Sequence, residues 1–381
     1  MNSANLNLAE VKERAVRTAM ALGAASVRVV SAAPDAQSRR RMAEAFARGD
    51  FTTWRYDDRY ARQATDPGKL LAGARSVLCV AVPYGSIATS PTPRLRGRVS
   101  NYAWLPDYHR GVRSLLQSVA REIDAAAGCA VTAIACDTRP LAERALAARS
   151  GLGWVGKHTN VISPEFGSFV FLGEIVTTLD LAADATLRKT CGSCRRCVDA
   201  CPTRALRGDY TIDATRCISD LTQRADGIPT EMRSLVGDWV WGCDLCQLVC
   251  PPTVAAERSH RREQPTPAFV DLVALLRMRS GEFKRRYRAT AMGWRGAAVL
   301  RRNAAVALGN SLDRAAVPAL IESLRSERNA MVRGHVAWAL GRLGSPPAIA
   351  ELQRACASER DAGVCGEIAS ALQGAQGVAA P

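Results

Sequence analysis

The chain has 381 residues, which is enough for two or three domains. It carries 51 Lys and Arg against 36 Asp and Glu, a formal net charge of +15, and its 48% hydrophobic content excludes wholesale disorder. It has no apolar run of about 18 residues, and its start lacks the basic and apolar regions of a signal peptide, so we expect a cytoplasmic protein with no membrane partner. In that reducing compartment, thirteen cysteines indicate metal or redox chemistry rather than disulfides.

Helices and short strands alternate in the first part of the chain. Apolar periodicity predicts helices at 6–22, 38–48, 108–128 and 140–150, and apolar or β-branched runs predict strands at 26–30, 76–84, 130–137 and 168–179. This alternation favours a sheet covered by helices. Asp137 stands at the end of a strand, where such sheets place their ligands. It could be a general acid if burial raises its pKa, or it could cap the helix that follows.

A glycine-rich segment follows at 151–160. Its pattern G-x-G-x-x-G comes after a helix rather than a strand, which argues against a dinucleotide site. We expect these glycines to permit close approach to a bulky ligand. His158, one of four histidines, is either a ligand-binding group or a structural histidine.

Eight of the thirteen cysteines lie between Cys191 and Cys250. The first four have the spacing C-x2-C-x2-C-x3-C-P of bacterial ferredoxins, and the second group repeats the x3-C-P ending. We therefore predict two [4Fe–4S] clusters, one held by Cys191, Cys194, Cys197 and Cys250 and the other by Cys201, Cys217, Cys243 and Cys246. The alternative, one four-cysteine zinc site, leaves four of these cysteines without a role. The other five are predicted to be small buried apolar residues: Cys79, Cys129, Cys136, Cys356 and Cys365.

The last third of the chain is repetitive and basic. Residues 326–340 match residues 358–372 at nine of fifteen positions, an offset of 32 that predicts stacked helix pairs of the HEAT type. Between Arg258 and Arg302 there are twelve Lys and Arg but three Asp and Glu, a net charge of +9. This stretch is either a phosphate-binding surface or a solvated helix face. Its densest points are Lys284, Arg285, Arg286, Arg301 and Arg302.

Several of these motifs together resemble epoxyqueuosine reductases, a cobalamin-dependent, iron–sulfur family of tRNA-modification enzymes. The motifs are residues 99–109, 137–160, 168–175, 216–222 and 242–251, with the ferredoxin-like spacing between them. The resemblance implies an α/β + α fold in three parts. These are a nitroreductase-like α/β cobalamin-binding catalytic domain at 1–185, a ferredoxin-like two-cluster domain at 186–255 and a basic domain of HEAT-type α-helical repeats at 256–381.

The resemblance also implies a reaction. The clusters would reduce cob(II)alamin to the cob(I) state, which would convert epoxyqueuosine to queuosine at the wobble position of tRNA, the last step of queuosine biosynthesis. Asp137 matches the family's proton donor, and Ala103 stands where some members have cysteine. The resemblance favours tRNA contact by the basic stretch. The residues in the matching cofactor motifs are Arg62, Tyr102, Ala103, Asp137, His158, Asn160, Val161, Ser219 and Arg224.

Two other functions remain open from the sequence. One is a related corrinoid and iron–sulfur reductase of the reductive dehalogenase type, and the other is a non-catalytic electron-transfer or tRNA-binding adaptor. The basic stretch and the repeats argue against the first, because a small organohalide needs neither. For the enzyme we expect a monomer that draws electrons from an external low-potential donor.

Overall fold

The computed structural model describes residues 6–378 except 52, 54–55, 86–91, 105 and 261–268. The chain divides into two compact units, each assembled from separate segments. The first unit comprises Met1–Ser86, Asp107–Thr215 and Leu245–Arg262. The second unit comprises Ile87–Pro106, Arg216–Asp244 and Glu263–Pro381. No helix among the described residues is long and apolar enough to cross a membrane.

The first half of the chain contains most of the strands. Its helices are α1 (Leu8–Ala21), α2 (Ala36–Ala47), α3 (Asp58–Ala64), α4 (Tyr108–Ala127), α5 (Glu143–Arg149) and α6 (Arg196–Asp199). The strands of the chain are β1 (Ser26–Ser31), β2 (Ser76–Pro83), β3 (Arg96–Val99), β4 (Thr132–Ala135), β5 (Trp154–Val155), β6 (Val161–Ile162), β7 (Val170–Thr177), β8 (Trp239–Trp241) and β9 (Phe269–Asp271).

The later part of the chain is mainly helical. Its helices are α7 (Ile218–Gln223), α8 (Thr230–Val236), α9 (Leu245–Leu248), α10 (Pro251–His260), α11 (Leu272–Leu276), α12 (Ser280–Tyr287), α13 (Ala297–Asn310), α14 (Val317–Ser326), α15 (Ala330–Leu343), α16 (Pro346–Ser358) and α17 (Ala362–Val378).

A four-stranded antiparallel sheet organises the first unit, in the order β1-β2-β7-β4. The helices and strands predicted from periodicity are present within a few residues of the expected bounds. Strand β2 is buried over six consecutive residues because the sheet has core on both faces. Helix α4 packs one apolar stripe on the sheet through Val112, Leu115, Leu116, Val119 and Ile123.

The second unit combines a small sheet with the helical repeats. Its sheet has the order β8-β3-β9, and α13, α15 and α17 pack successively against one another. The same ion pair occurs twice, 32 residues apart: Arg301 binds Glu327 at 2.6 Å, and Arg333 binds Glu359 at 2.7 Å. The stacked helix pairs expected from the sequence are therefore confirmed, with the same inter-repeat ion pair used twice.

Two local expectations are wrong. Helix α5 begins at Glu143 with Ala142 as its N-cap, so Asp137 is not its cap. Pro140 has no backbone N–H to donate, and the preceding residues form bends instead of a helical turn. Among the cysteines expected in the core, Cys129 and Cys356 are exposed.

Candidate functional site

The loop between β4 and α5 presents Asp137 to solvent. Its side chain is 63% exposed, and its backbone has a positive φ of 57°, which non-glycine residues seldom adopt. The hydroxyl of Tyr108 donates to Asp137 Oδ2 at 2.9 Å, and His109 Nε2 lies 3.3 Å from the same oxygen. Tyr108 is itself held by stacking on Phe171, with ring centroids 4.1 Å apart. The first turn of α4 therefore fixes the position of the Asp137 carboxylate.

Asp137 and His109 form a polarised acid–base pair. The hydrogen bond with His109 is the largest cause that lowers the pKa of Asp137, and Tyr108 lowers it further. The same hydrogen bond raises the pKa of His109, and Asp107, 2.6 Å from Nδ1, adds to that rise. The expectation that burial raises the pKa of Asp137 is therefore wrong, because its neighbours stabilise the ionised form. Sequence reasoning missed Tyr108 and His109, although both lie in the quoted segment 99–109.

The glycine-rich segment serves close packing of the chain on itself. A side chain at Gly151 would collide with the backbone of Ala185, and one at Gly153 would collide with the backbone of Ile162. The expectation that these glycines approach a bulky ligand is wrong at these two positions. Their effect is to allow the β5–β6 hairpin, which carries His158 in its turn, to lie against the rest of the first unit.

His158 is a buried histidine with one unused nitrogen. Its side chain is nearly enclosed, and its Nδ1 accepts from the Asn160 backbone N–H at 3.2 Å. Burial lowers the pKa of His158 to about 4, so the ring is neutral and the proton belongs on Nε2. That Nε2 has no hydrogen-bond partner among the described residues. An unused buried N–H suits a polar group of a bound cofactor. Val161 beside it points into the sheet core.

Four cysteines gather in the first unit around an apolar wall. Cys191 and Cys250 pack with Trp154 and Ile162. Burial raises the pKa of Cys197 to about 11, and the neighbouring thiols of Cys191 and Cys250 add to the rise. Burial also raises the pKa of Cys250, where Cys191 and Cys194 contribute. Among the described residues, no three His, Cys, Asp or Glu side chains lie close enough together to bind one single metal ion.

Lys157 binds the loop that carries these cysteines. Its backbone N–H donates to Cys191 Sγ at 3.4 Å, and its Nζ donates to the carbonyls of Gly192 at 2.7 Å and Cys194 at 3.0 Å. The side chain is 9% exposed. Lys157 thus supplies both a hydrogen bond to the Cys191 sulfur and a buried positive charge beside the loop.

The second set of cysteines is divided between the units. Cys201 and Cys246 belong to the first, and Cys217 and Cys243 belong to the second. Within the second unit, Asn303 Nδ2 donates to the carbonyls of Thr222 and Val240, each at 2.7 Å. Asn303 thereby ties α7, which follows Cys217, to β8, which precedes Cys243.

Arg302 does not offer an RNA-binding surface, contrary to expectation. It is fully buried, and its guanidinium donates to the carbonyls of Leu221 and Arg224, each at 2.9 Å, and of Asp226. Arg301 is also engaged, because it binds Glu327 and the carbonyl of Met278 and its side chain is 16% exposed. Both arginines are structural groups of the repeat domain in this structure.

The other basic residues behave differently. Lys284, Arg285 and Arg286 are exposed on α12, whose buried face is Phe283 and Tyr287. Arg286 makes one loose ion pair, with Glu282 at 3.5 Å. These three side chains are therefore accessible to a polyanion.

The remaining cofactor candidates fall into both units. In the first, Arg62 is exposed and paired with Asp58 at 2.5 Å. In the second, the Tyr102 hydroxyl donates to Gln223 Oε1 at 3.1 Å, and Gln223 Nε2 donates to Ser219 Oγ at the same distance. Arg224 in that unit is paired with Asp220 at 2.5 Å. The prediction for Ala103 is wrong in this structure, because the residue is completely enclosed and offers no surface to a ligand.

Comparison with known proteins gives three family matches along the chain. Residues 65–138 match the epoxyqueuosine reductase QueG model, residues 190–253 match a 4Fe-4S double cluster binding domain, and residues 296–373 match HEAT repeats. The double-cluster match covers all eight predicted cysteine ligands. The three matches agree with the order of the parts expected from the sequence.

Curated relatives and solved structures agree with these matches. The epoxyqueuosine reductase of Bacillus anthracis is 36% identical over 277 residues, covering 71% of this chain and 73% of the relative. That of Gloeobacter violaceus is 38% identical over 318 residues, covering 80% and 97%.

Among solved structures, a selenomethionine-labelled epoxyqueuosine reductase superposes with a TM-score of 0.90 at 30% identity, covering 97% of this chain and 100% of that one. An epoxyqueuosine reductase with an epoxyqueuosine-modified tRNA-Tyr stem loop gives 0.89 at the same identity and coverage. The chain therefore belongs to the epoxyqueuosine reductase family.

Proposed function

We propose that this protein reduces epoxyqueuosine in tRNA to queuosine. The observation that carries the proposal is family membership, supported by the likeness over 97% of the chain to a reductase solved with an epoxyqueuosine-modified stem loop. Converting an epoxide to an alkene consumes two electrons and two protons and releases the oxygen as water. The protein must therefore deliver electrons, deliver protons and hold an RNA loop.

The electron path we propose consists of two [4Fe–4S] clusters. One is held by Cys191, Cys194, Cys197 and Cys250, and the association of these four thiols in the first unit supports that grouping. The other is held by Cys201, Cys217, Cys243 and Cys246. We propose that an external low-potential donor reduces them.

The family depends on cobalamin, and the residues present fit such a group. A bound cobalamin supplies a cobalt centre that accepts single electrons and reduces the epoxide. His158 suits it because the unused Nε2–H is a buried donor that a polar substituent of the cofactor can satisfy. In the first unit we propose that Arg62, Asp137 and Asn160 contribute to cobalamin binding, with Val161 contributing through its backbone. Tyr102, Ser219 and Arg224 of the second unit are proposed as cobalamin-binding residues on the family resemblance.

Asp137 delivers the first of the two protons, and the second, which completes the water, comes from solvent. The hydrogen bond between the two side chains lowers the pKa of Asp137 and raises the pKa of His109, which favours the proton on His109 and the charge on Asp137. A bound substrate that excludes water from Asp137 raises the pKa of its carboxyl, which favours transfer of the proton from His109 to Asp137. Asp137 then donates that proton to the departing oxygen.

The RNA contact we propose lies on α12. Lys284, Arg285 and Arg286 are exposed there and can bind phosphates of the stem loop. The base itself must be turned out of the loop to reach a pocket. We propose that the protein acts as a monomer in the cytoplasm.

The test is conversion of a modified stem loop by the protein reconstituted with iron, sulfide and cobalamin. We expect queuosine to form with a strong reductant and Asp137→Asn to reduce the rate at least 100-fold (about 10²). If the protein binds clusters but no cobalamin, the result supports the adaptor alternative. If it dehalogenates a halophenol but leaves the stem loop unchanged, the result supports the dehalogenase alternative.

A further inference from the structure

A cleft with a volume of about 160 Å³ opens on the first unit, next to Asp137 along the chain. Its apolar lining is the end of β4 and the residue after it, at positions 134–136. A cleft of this volume holds several water molecules, so a group the size of a phosphate fits in their place. Four polar side chains complete the lining, and the proposed reaction uses none of them: Arg113 and Gln117 of α4, and Thr138 and Arg139 of the loop after β4.

Helix α4 connects the cleft to Asp137. His109, Arg113 and Gln117 follow one another at intervals of four residues, so their side chains lie along one face of the helix. His109 Nε2 lies 3.3 Å from Asp137 Oδ2, and one turn later Arg113 Nη2 donates to Thr138 Oγ1 at 3.4 Å. The loop that carries Asp137 therefore runs along this face of α4, and the cleft lies one helical turn beyond the proposed proton donor.

Two guanidinium groups give the cleft a positive charge. Arg113 and Arg139 are exposed, and neither forms an ion pair with another residue that the structure describes. The neighbouring carboxylate of Asp137 is engaged by the Tyr108 hydroxyl and by His109 instead. A guanidinium presents planar N–H donors that match two oxygens of one phosphate, and the amide and hydroxyl of the other two polar residues add uncharged donors. The cleft thus suits an anion with several acceptor oxygens.

We propose that this cleft binds a phosphodiester group of the substrate RNA through Arg113 and Arg139. The inference rests on the proposed function, because the RNA is the polyanion that has to bring its modified base to Asp137. The phosphodiester belongs to a linkage next to the modified nucleotide, and its binding keeps that nucleotide in register with Asp137. It is a second RNA contact beside the one proposed for α12, which belongs to the other unit.

The same chemistry occurs in a second molecule, because cobalamin carries a phosphodiester in its nucleotide tail. The exposure of Arg113 and Arg139 favours the RNA, whose phosphates lie on its outer surface and stay in contact with solvent. The experiment therefore measures binding of the RNA and of cobalamin separately.

Neutral linkages in the stem loop test the contact directly. Methylphosphonate linkages, which lack the phosphate charge, are introduced one at a time into the epoxyqueuosine-modified loop, and binding to the full chain with its clusters is measured by fluorescence anisotropy without cobalamin or reductant. In the wild type, neutralising one linkage next to the modified nucleotide should weaken binding roughly tenfold. In the double variant Arg113→Gln, Arg139→Gln, the fully charged stem loop should bind roughly tenfold more weakly, and the same neutral linkage should cause no further loss.

Two controls accompany the double variant. The substitutions Arg14→Gln and Arg17→Gln together remove two exposed charges from α1 of the same unit, and this protein should keep the wild-type loss at the sensitive linkage. Titration with cobalamin should give the same affinity for the Arg113 and Arg139 double variant as for the wild type. Lower cobalamin affinity with unchanged stem-loop binding would assign the cleft to the cofactor and overturn the RNA contact.

The site and the proposed function can fail separately. A wild-type protein with no sensitive linkage next to the modified nucleotide would overturn the site, as would an equal loss at that linkage in the wild type and the double variant. Because the binding measurement involves no turnover, an inactive protein with the expected loss would refute the proposed function and leave the phosphate site standing. The wild-type linkage scan decides the matter even if the double variant does not fold.

Discussion

Lys157 provides a direct test of how the protein sets the potential of its first cluster. Its Nζ donates to two carbonyls of the cysteine loop, and at 9% exposure little water screens its charge. Replacing Lys157 with glutamine keeps a donor for the carbonyls and removes the charge. The reduced cluster carries more negative charge than the oxidised one, so loss of the ammonium makes reduction harder.

The size of the effect follows from Coulomb's law. A unit charge on the order of 7 Å from the cluster centre, at an effective dielectric constant of about 20, contributes about 2.4 kcal/mol. For a one-electron couple this corresponds to a shift of about −100 mV. The midpoint potential is read from an anaerobic redox titration followed by electron paramagnetic resonance.

Two variants serve as controls for Lys157→Gln. Lys157→Arg keeps the charge and should stay within about 30 mV of the wild type, and the exposed Lys69→Gln should not change the potential. A shift smaller than about 20 mV in Lys157→Gln, with full cluster content, would refute the electrostatic role. A loss of cluster content would show instead that the hydrogen bonds of Lys157 hold the loop.

Three further predictions concern charge elsewhere in the chain. Arg302→Met leaves buried carbonyls without a donor, so it should lower the free energy of unfolding by roughly 3–5 kcal/mol, as measured by thermal or urea unfolding. The control Arg285→Met should change the free energy of unfolding by less than about 0.5 kcal/mol. Equal effects of the two substitutions would contradict the structural role of Arg302. In the wild type, kcat should fall as pH rises through the raised pKa of His109, because His109 then loses the proton that it supplies. His109→Gln should remove this fall of kcat at high pH. An unchanged fall of kcat in the variant would exclude His109 as the source of the proton. Replacing Lys284, Arg285 and Arg286 together with alanine should raise KM for the stem loop. The slope of log binding constant against log salt concentration should become shallower by about 2–3. An unchanged slope would show that α12 does not contact the RNA.

Periodicity was sufficient for the elements, and cysteine spacing was sufficient for the double-cluster domain, which the family match confirms. The strands of the first unit were predictable because β-branched and apolar runs of strand length are bounded by turns. The double-cluster domain was predictable because cluster binding imposes its own cysteine spacing on the chain, independently of the rest of the fold. The division of the eight cysteines between two clusters stays a prediction.

Charge was harder to interpret from sequence. A count of basic residues treats Arg302 and Lys284 alike, yet a guanidinium can be buried if backbone carbonyls satisfy its donors. The role of Arg301 had a signal in the repeat, since Arg301 and Arg333 recur at the same offset as Glu327 and Glu359. Partners that recur together at the repeat offset indicate an ion pair between repeats.

The chemistry of Asp137 depends on residues distant in sequence. The lowered pKa of Asp137 comes from His109 and Tyr108 on α4, and the backbone N–H of Asp137 donates to Glu143 on α5. No local pattern around Asp137 specifies Tyr108 and His109, because the packing of α4 on β4 and β7 brings them to Asp137. The sequence singled out Asp137 as a candidate, whereas the fold determines the pKa of its carboxyl.

The central claim is that this chain transfers two electrons from its clusters through cobalamin to an epoxide in RNA. The most direct measurement is an anaerobic reaction of the reconstituted protein with a measured amount of reductant, followed by the mass of the epoxyqueuosine-modified stem loop. We predict the loss of one oxygen atom per two electrons consumed, in the presence of cobalamin and not in its absence. Electron consumption with an unchanged stem-loop mass, or an equal loss of oxygen without cobalamin, would contradict the account.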